Sequence, residues 1–261
     1  MSRDFQLPGR SAVIACEGMA ATSHPLASLA AIEALRAGGN AADAAVTAVA
    51  VLCVVEPQMT GIGGDCFCML HVPGQPVWGY NGSGRAGARA SLEALMARGI
   101  SAIAGDSIHA VTVPGVIDAW AAILDAHGSF SLDRALAPAI HYAEHGFPVA
   151  ARIAWDWAFE VGKLRADAGA ARHFLFEGRP PAEGDVVKLP ALARTLRTIA
   201  AKGRAPSTKG RSPTISSRPL PPTALSSPPR TLPVIAARWS RRSVRIIAVS
   251  TYWNCRPTPR A

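Results

Sequence analysis

The run from Ala41 to Val55 (AADAAVTAVAVLCVV) restricts the fold of this chain more than any other feature. A helix that is apolar on every side must be wrapped by other elements. The run contains Asp43 and is too short to cross a bilayer, so it reads as a buried helix of a globular domain. Asn40 suits its N-cap, Asp43 suits the positive end of its dipole, and Pro57 closes it. This Asn40–Asp43 start reads as packing rather than chemistry.

Around that helix the chain alternates elements. Ala12 to Cys16 is a short strand candidate. Ser23 or His24 then opens a helix with apolar residues at helical spacing through Leu35, ended by Gly38-Gly39. Thr60 to Asp65 is a glycine-rich turn, and Cys66 to Val72 and Val77 to Tyr80 form a hairpin about Pro73-Gly74. His109 to Val113 reads as one more strand. Helices are predicted over Ser91–Arg98, Pro114–Ala126, Ser131–His145, Ala150–Arg165 and Pro190–Lys202. The result is a helix-rich mixed α/β domain with few, buried strands.

Composition divides the chain at Ala205. Residues 1–205 hold 17 Lys+Arg and all 18 Asp+Glu, whereas residues 206–261 hold 10 Lys+Arg and no acid, so the net charge of +9 belongs to the tail. That tail also carries 10 prolines and 15 Ser+Thr, and only Val244 to Thr251 reads as a strand. Such a segment buries too little apolar surface to offset its ordering entropy, so it is expected to be disordered. The five cysteines lack the paired CxxC spacing of a structural zinc site; Cys66 and Cys68 fall on one strand face and read as buried thiols. With a polar segment from Met1 to Arg10 and no apolar leader after it, the expected compartment is the cytoplasm.

Three segments stand out. The first is Gly18 to Ser28 (GMAATSHPLAS) with Gly38 to Ala45 (GGNAADAA). The second is Val55-Glu56-Pro57 with Gly61 to Phe67 (GIGGDCF). The third is Val113-Pro114-Gly115 with Leu136 to Ile140 (LAPAI) and Glu144 to Val149 (EHGFPV). Gly61, Gly63 and Gly64 allow a turn or a close backbone approach. A phosphate loop is excluded there, because a strand rather than a helix follows. His24 reads as a helix-opening residue and not a catalytic base.

In this order and spacing the segments resemble the large subunit of the gamma-glutamyltransferase family over about Gly18 to Ala205. The resemblance implies part of the four-layer αββα fold of N-terminal-nucleophile hydrolases. In that family a chain cleaves itself to expose a threonine whose hydroxyl attacks and whose α-amine is the base. The implied chemistry is transfer or hydrolysis of gamma-glutamyl or related amides such as glutathione. Thr22 and Thr60 lack the expected context, so no catalytic residue is assigned, and no cofactor or metal is expected.

The family's substrate-binding arginine lies in an Asp-x-Arg-Glu segment, matched here by Asn81 to Ala86 (NGSGRA). Ser83 stands at the arginine position and Arg85 two residues on, so these two are the candidate substrate-binding residues. With Gly64 to Phe67 this departure resembles a divergent branch of acylases and small-amide hydrolases.

The family continues past Ala205 with a segment like AFYEGxIAxDIVAT, whereas this chain reads PSTKGRSPTISS. Reading the tail's codons one base out, with synonymous choices, regenerates three family-like segments in family order. A frameshift near Ala205 is therefore expected. On this reading the chain is a truncated large subunit, inactive alone, whose partner is the missing small-subunit half. Without that half, open sheet edges and an exposed apolar face are expected. Two alternatives are a nucleic-acid-binding protein using Arg241, Arg242 and Arg245 near Trp239, and a pseudoenzyme paired with a separate small subunit. The frame argument explains the basic charge, so neither nucleic acid nor a membrane is the expected partner.

Overall fold

The computed structural model describes residues 13–87, 90–103 and 107–204, together with the backbone of a strand at 245–250. Helix α2 (Ala41–Val55) is its centre. Asn40 caps it, accepting the amides of Ala42 and Asp43 at 2.8 and 3.3 Å, while Asp43 accepts the Asn40 amide at 2.7 Å. The two side chains thus satisfy the helix's first donors reciprocally. Beyond the cap, Val46, Val51, Val54 and Val55 are fully buried, each stabilising the fold by about 1.5–3 kcal/mol.

Four elements wrap this helix: α1 (Pro25–Arg36), α4 (Val116–His127), α5 (Leu132–His145) and the strand β5 (Arg245–Ser250). Helix α1 opens at His24, whose Nδ1 accepts the Leu26 amide at 3.2 Å, as the sequence suggests. α9 (Pro190–Lys202) packs on the far side of α5.

The sheet is built on β1 (Cys66–His71), paired antiparallel with β2 (Trp78–Gly82). Cys66, Cys68 and Leu70 face the core and are buried, as two-residue periodicity requires, while Met69 is exposed. The other edge of β1 is also paired. β5 pairs along it, with Phe67 opposite Ser250 and a register shift between Met69 and Leu70. This strand falls within the stretch of the tail predicted to be extended; the expected disorder of the rest of the tail lies outside the described residues.

Other expectations need correction. Residues 13–16 form no strand: Val13 is 68% and Ile14 91% exposed, and among the described residues no strand pairs with them. His109–Val113 is not a strand either. Its start is a 3-10 turn, Ile108–Ala110, opened by the Ser107 hydroxyl, and the remainder is extended loop. The single helix predicted over Ala150–Arg165 breaks at Glu160 into α6 (Ala151–Phe159) and α7 (Val161–Ala166). α3 (Leu92–Met96) is shorter than predicted, and α8 (Ala168–Phe174) is an addition capped by Asp167. A small ribbon also forms from β3 (Phe147–Pro148) and β4 (Val186–Val187). Among the described residues no helix is long and apolar enough to cross a membrane.

Candidate functional site

The glycine-bearing segments singled out in the sequence meet at the N-terminus of α4. Gly64 closes the turn after α2, its amide bonding to the Gly61 carbonyl at 3.1 Å. Its own carbonyl accepts the amides of Gly115 and Val116, at 3.1 and 3.2 Å. Two of the donors that begin α4 are satisfied there without a side-chain cap. Gly115 also presses on the turn leaving β2, where a Cβ would lie 2.3 Å from the Gly82 carbonyl oxygen and 2.7 Å from the Gly84 nitrogen. Gly84, at φ +76°, has the Val113 carbonyl oxygen 1.9 Å from where its own Cβ would be. Side chains are excluded on both sides of this junction.

The turn that carries the candidate substrate-binding residues is locked in the same way. The Ser83 amide donates to Asn81 Oδ1 at 3.0 Å, and the Ser83 carbonyl accepts the Thr112 hydroxyl at 3.1 Å. The Arg85 carbonyl accepts the Val113 amide at 2.9 Å. Ser83 is half-buried and Arg85 exposed. Among the described residues the Arg85 guanidinium makes no ion pair. The structure thus brings Ser83 and Arg85 onto one braced turn beside Gly61–Gly64, with the serine against the backbone and the arginine facing outward. Behind the turn, the Tyr80 hydroxyl donates to Asp118 of α4 at 3.2 Å.

The two internal threonines make local contacts. Thr22 donates its hydroxyl to the His24 carbonyl at 2.7 Å and lies 2.9 Å from the Ser28 hydroxyl. Thr60 is buried with its hydroxyl 3.7 Å from Cys53 Sγ. Burial pushes the Cys53 and Cys66 thiols up to about 12 and Cys68 to about 11, so none is a nucleophile at neutral pH. No group of three or more His, Cys, Asp or Glu side chains converges on a metal position among the described residues.

Two buried carboxylates carry more of the structure than their sequence setting signals. Burial alone raises the Asp43 carboxyl, but hydrogen bonds from Asn40, Phe130 and Ser129 outweigh it and hold the group below the usual range. Glu56, at the end of α2, goes the other way. Burial raises it, the 2.7 Å bond from the Ser23 hydroxyl opposes the rise, Asp156 reinforces it and Arg152 opposes it. Beside Ser23, the His24 ring is held below its ordinary value by burial and is neutral. In the sequence Glu56 stands out in the Val55-Glu56-Pro57 segment at the end of an apolar helix, which does not disclose its bond to Ser23.

Comparisons with known proteins agree with this geometry. The gamma-glutamyltranspeptidase family model matches residues 27–211. The chain is 40% identical over 195 residues to the glutathione hydrolase-like YwrD proenzyme of Bacillus subtilis, covering 74% of this chain and 37% of that protein. It is 39% identical over 199 residues to the oxamate amidohydrolase proenzyme of Klebsiella pneumoniae, again 74% of this chain and 37% of the relative. It therefore spans little more than a third of the length of these relatives.

Among solved structures, cephalosporin acylase from Bacillus halodurans superposes with a TM-score of 0.71 at 37% identity, over 78% of this chain and 40% of that one. Gamma-glutamyltranspeptidase from Helicobacter pylori gives 0.72 at 27% identity, over 77% and 59%. The helix-rich fold built on the β1–β2 hairpin is that of the N-terminal-nucleophile hydrolases. The chain belongs to the gamma-glutamyltranspeptidase family, in its divergent branch of acylases and amidohydrolases.

Proposed function

We propose that this chain is the large-subunit half of a hydrolase of small amides and gamma-glutamyl compounds, inactive until a second half supplies the nucleophile. The observation that carries this reading is the family match over residues 27–211, with relatives that include an oxamate amidohydrolase and an acylase. Among the described residues around the Gly64–Gly115 junction, none offers the free α-amine and threonine hydroxyl that the family's acyl transfer needs. What the junction offers is a rigid wall and one outward-facing cation.

In this role Arg85 binds the carboxylate of an acidic amide by a charge-assisted hydrogen bond, and Ser83 holds the turn that presents it. Arginine two positions from the family's site suits a shorter substrate than glutathione, in keeping with the oxamate-hydrolysing relative. On this reading the acid-free composition after Ala205 comes from a shifted reading frame.

The test uses two proteins, the chain as it stands and a version with the frame restored after Ala205. The chain alone should hydrolyse neither oxamate nor gamma-glutamyl-p-nitroanilide, while the restored version should cleave itself into two subunits and turn over at least one of them. Turnover by the chain alone, or a restored version that neither cleaves nor reacts, defeats the proposal.

A further inference from the structure

We infer that His141 and His145 form a surface site for a borderline divalent metal ion such as Ni²⁺, Zn²⁺ or Cu²⁺. The two residues are four apart on α5, and their rings stand one above the other with centroids 4.6 Å apart and planes inclined by 28°. Both are exposed, at the lip of a groove of ≈ 770 Å³ between α5 and α9. Two imidazoles at this helical spacing on one face are a bidentate donor set. Imidazole nitrogen selects these ions over magnesium or calcium, which prefer oxygen.

One of the two rings is already oriented by its own helix. His145 Nδ1 lies 3.2 Å from the His141 carbonyl oxygen. The tautomer protonated at Nδ1 makes that hydrogen bond and leaves the Nε2 lone pair for a metal. Glu144, between the two histidines in sequence, lines the same groove. That carboxylate is engaged by Arg197 of α9, so it serves as a nearby negative charge and not as a third ligand. Asp133 adds a second acid to the same groove, and the Tyr142 ring meets His141 edge-on at 5.6 Å. With two protein ligands, water completes the coordination, and the affinity is that of a surface chelate.

The experiment titrates Ni²⁺ into the chelator-treated full chain by calorimetry at about pH 7.5. The expected result is one Ni²⁺ bound through the pair, weakened about tenfold or more by either His141→Ala or His145→Ala because the intramolecular second ligand is lost. His173→Ala, at another exposed histidine, should change nothing. Unchanged urea midpoints in all three variants separate ligand loss from unfolding. A wild-type chain that binds no Ni²⁺, or a His141→Ala/His145→Ala double variant that binds it as tightly as wild type, overturns the inference.

Discussion

Asp43 and Ser129 lie 86 residues apart in sequence and are joined by two hydrogen bonds, the Ser129 amide to Oδ1 at 2.9 Å and its hydroxyl to Oδ2 at 2.7 Å. The Phe130 amide adds a third at 2.9 Å, and the Asn40 amide a fourth at 2.7 Å. One carboxylate therefore fastens the start of α2 to the loop between α4 and α5. Asp43→Ala leaves three backbone donors without their acceptor, at a cost of about 3 kcal/mol. Asp43→Asn keeps one acceptor oxygen and should cost less. Because the folded-state value is depressed, the stabilisation is full above the unfolded value of about 3.9 and disappears as pH falls through the lower folded value. Urea midpoints from neutral to acid pH measure it; a wild type and Asp43→Asn that lose stability in parallel would reject the assignment.

Glu56 should show the opposite sign. Its folded-state value is raised, so between the ordinary value of about 4.3 and that raised value the folded chain holds more protons than the unfolded one. Stability then falls as pH rises through this window. Glu56→Gln keeps an oxygen for the Ser23 hydroxyl and removes the buried charge. It should stabilise the protein by roughly 1 kcal/mol at neutral pH, with the gain vanishing in acid. Loss of stability at neutral pH would mean that the charge is compensated better than its surroundings indicate.

The glycine junction is tested by pairing a crowded position with an open one. At Gly115 an added Cβ would meet backbone atoms that cannot step aside, whereas Gly61 has nothing within 4 Å. Gly115→Ala should cost about 2–3 kcal/mol through overpacking. Gly61→Ala should stay within about 0.5 kcal/mol of wild type. Equal effects at both sites would show that close approach is not what glycine serves here.

Thiol chemistry reports on the core. Cys16 is exposed, while Cys53, Cys66 and Cys68 are buried, with their thiols pushed far above the ordinary value. Alkylation followed by peptide mapping should label Cys16 within the mixing time. Labelling of the three buried thiols should require global opening, and so should slow about tenfold for each 1.4 kcal/mol of added stability. Rapid modification of Cys66 or Cys68 would mean that the β1 face is not sealed.

How far the sequence carries the structure depends on the range of the forces involved. α2 is legible to the residue because Asn40, Asp43 and Pro57 are local signals. The same holds for Ser91, Ser131 and Pro190 at the starts of α3, α5 and α9. Val13-Ile14 and Val111–Val113 have strand-like composition, yet a strand needs a partner, and among the described residues none is set beside either. The break at Glu160 has no local signal; near it the Trp157 indole donates to the Phe174 carbonyl at 2.8 Å, a contact between segments that no local pattern encodes. The glycine segments are visible as motifs, but their meeting at Gly64 and Gly115 is a tertiary event that no local pattern encodes. The His141–His145 pair is likewise only spacing until helix and exposure are known.

Arg85 gives the most direct test of the proposed substrate site. Its carbonyl is fixed by Val113 and its side chain is exposed, so removing the guanidinium should leave folding untouched. In the frame-restored enzyme, Arg85→Ala should raise KM for oxamate about tenfold or more with little change in kcat, the signature of lost ground-state binding. Arg85→Lys should recover only part of it, because an ammonium cannot reproduce the planar two-point contact with a carboxylate. An amide substrate without a carboxylate should be indifferent to either change. If KM for the acidic and the neutral amide moves equally, Arg85 shapes the turn and does not bind the substrate.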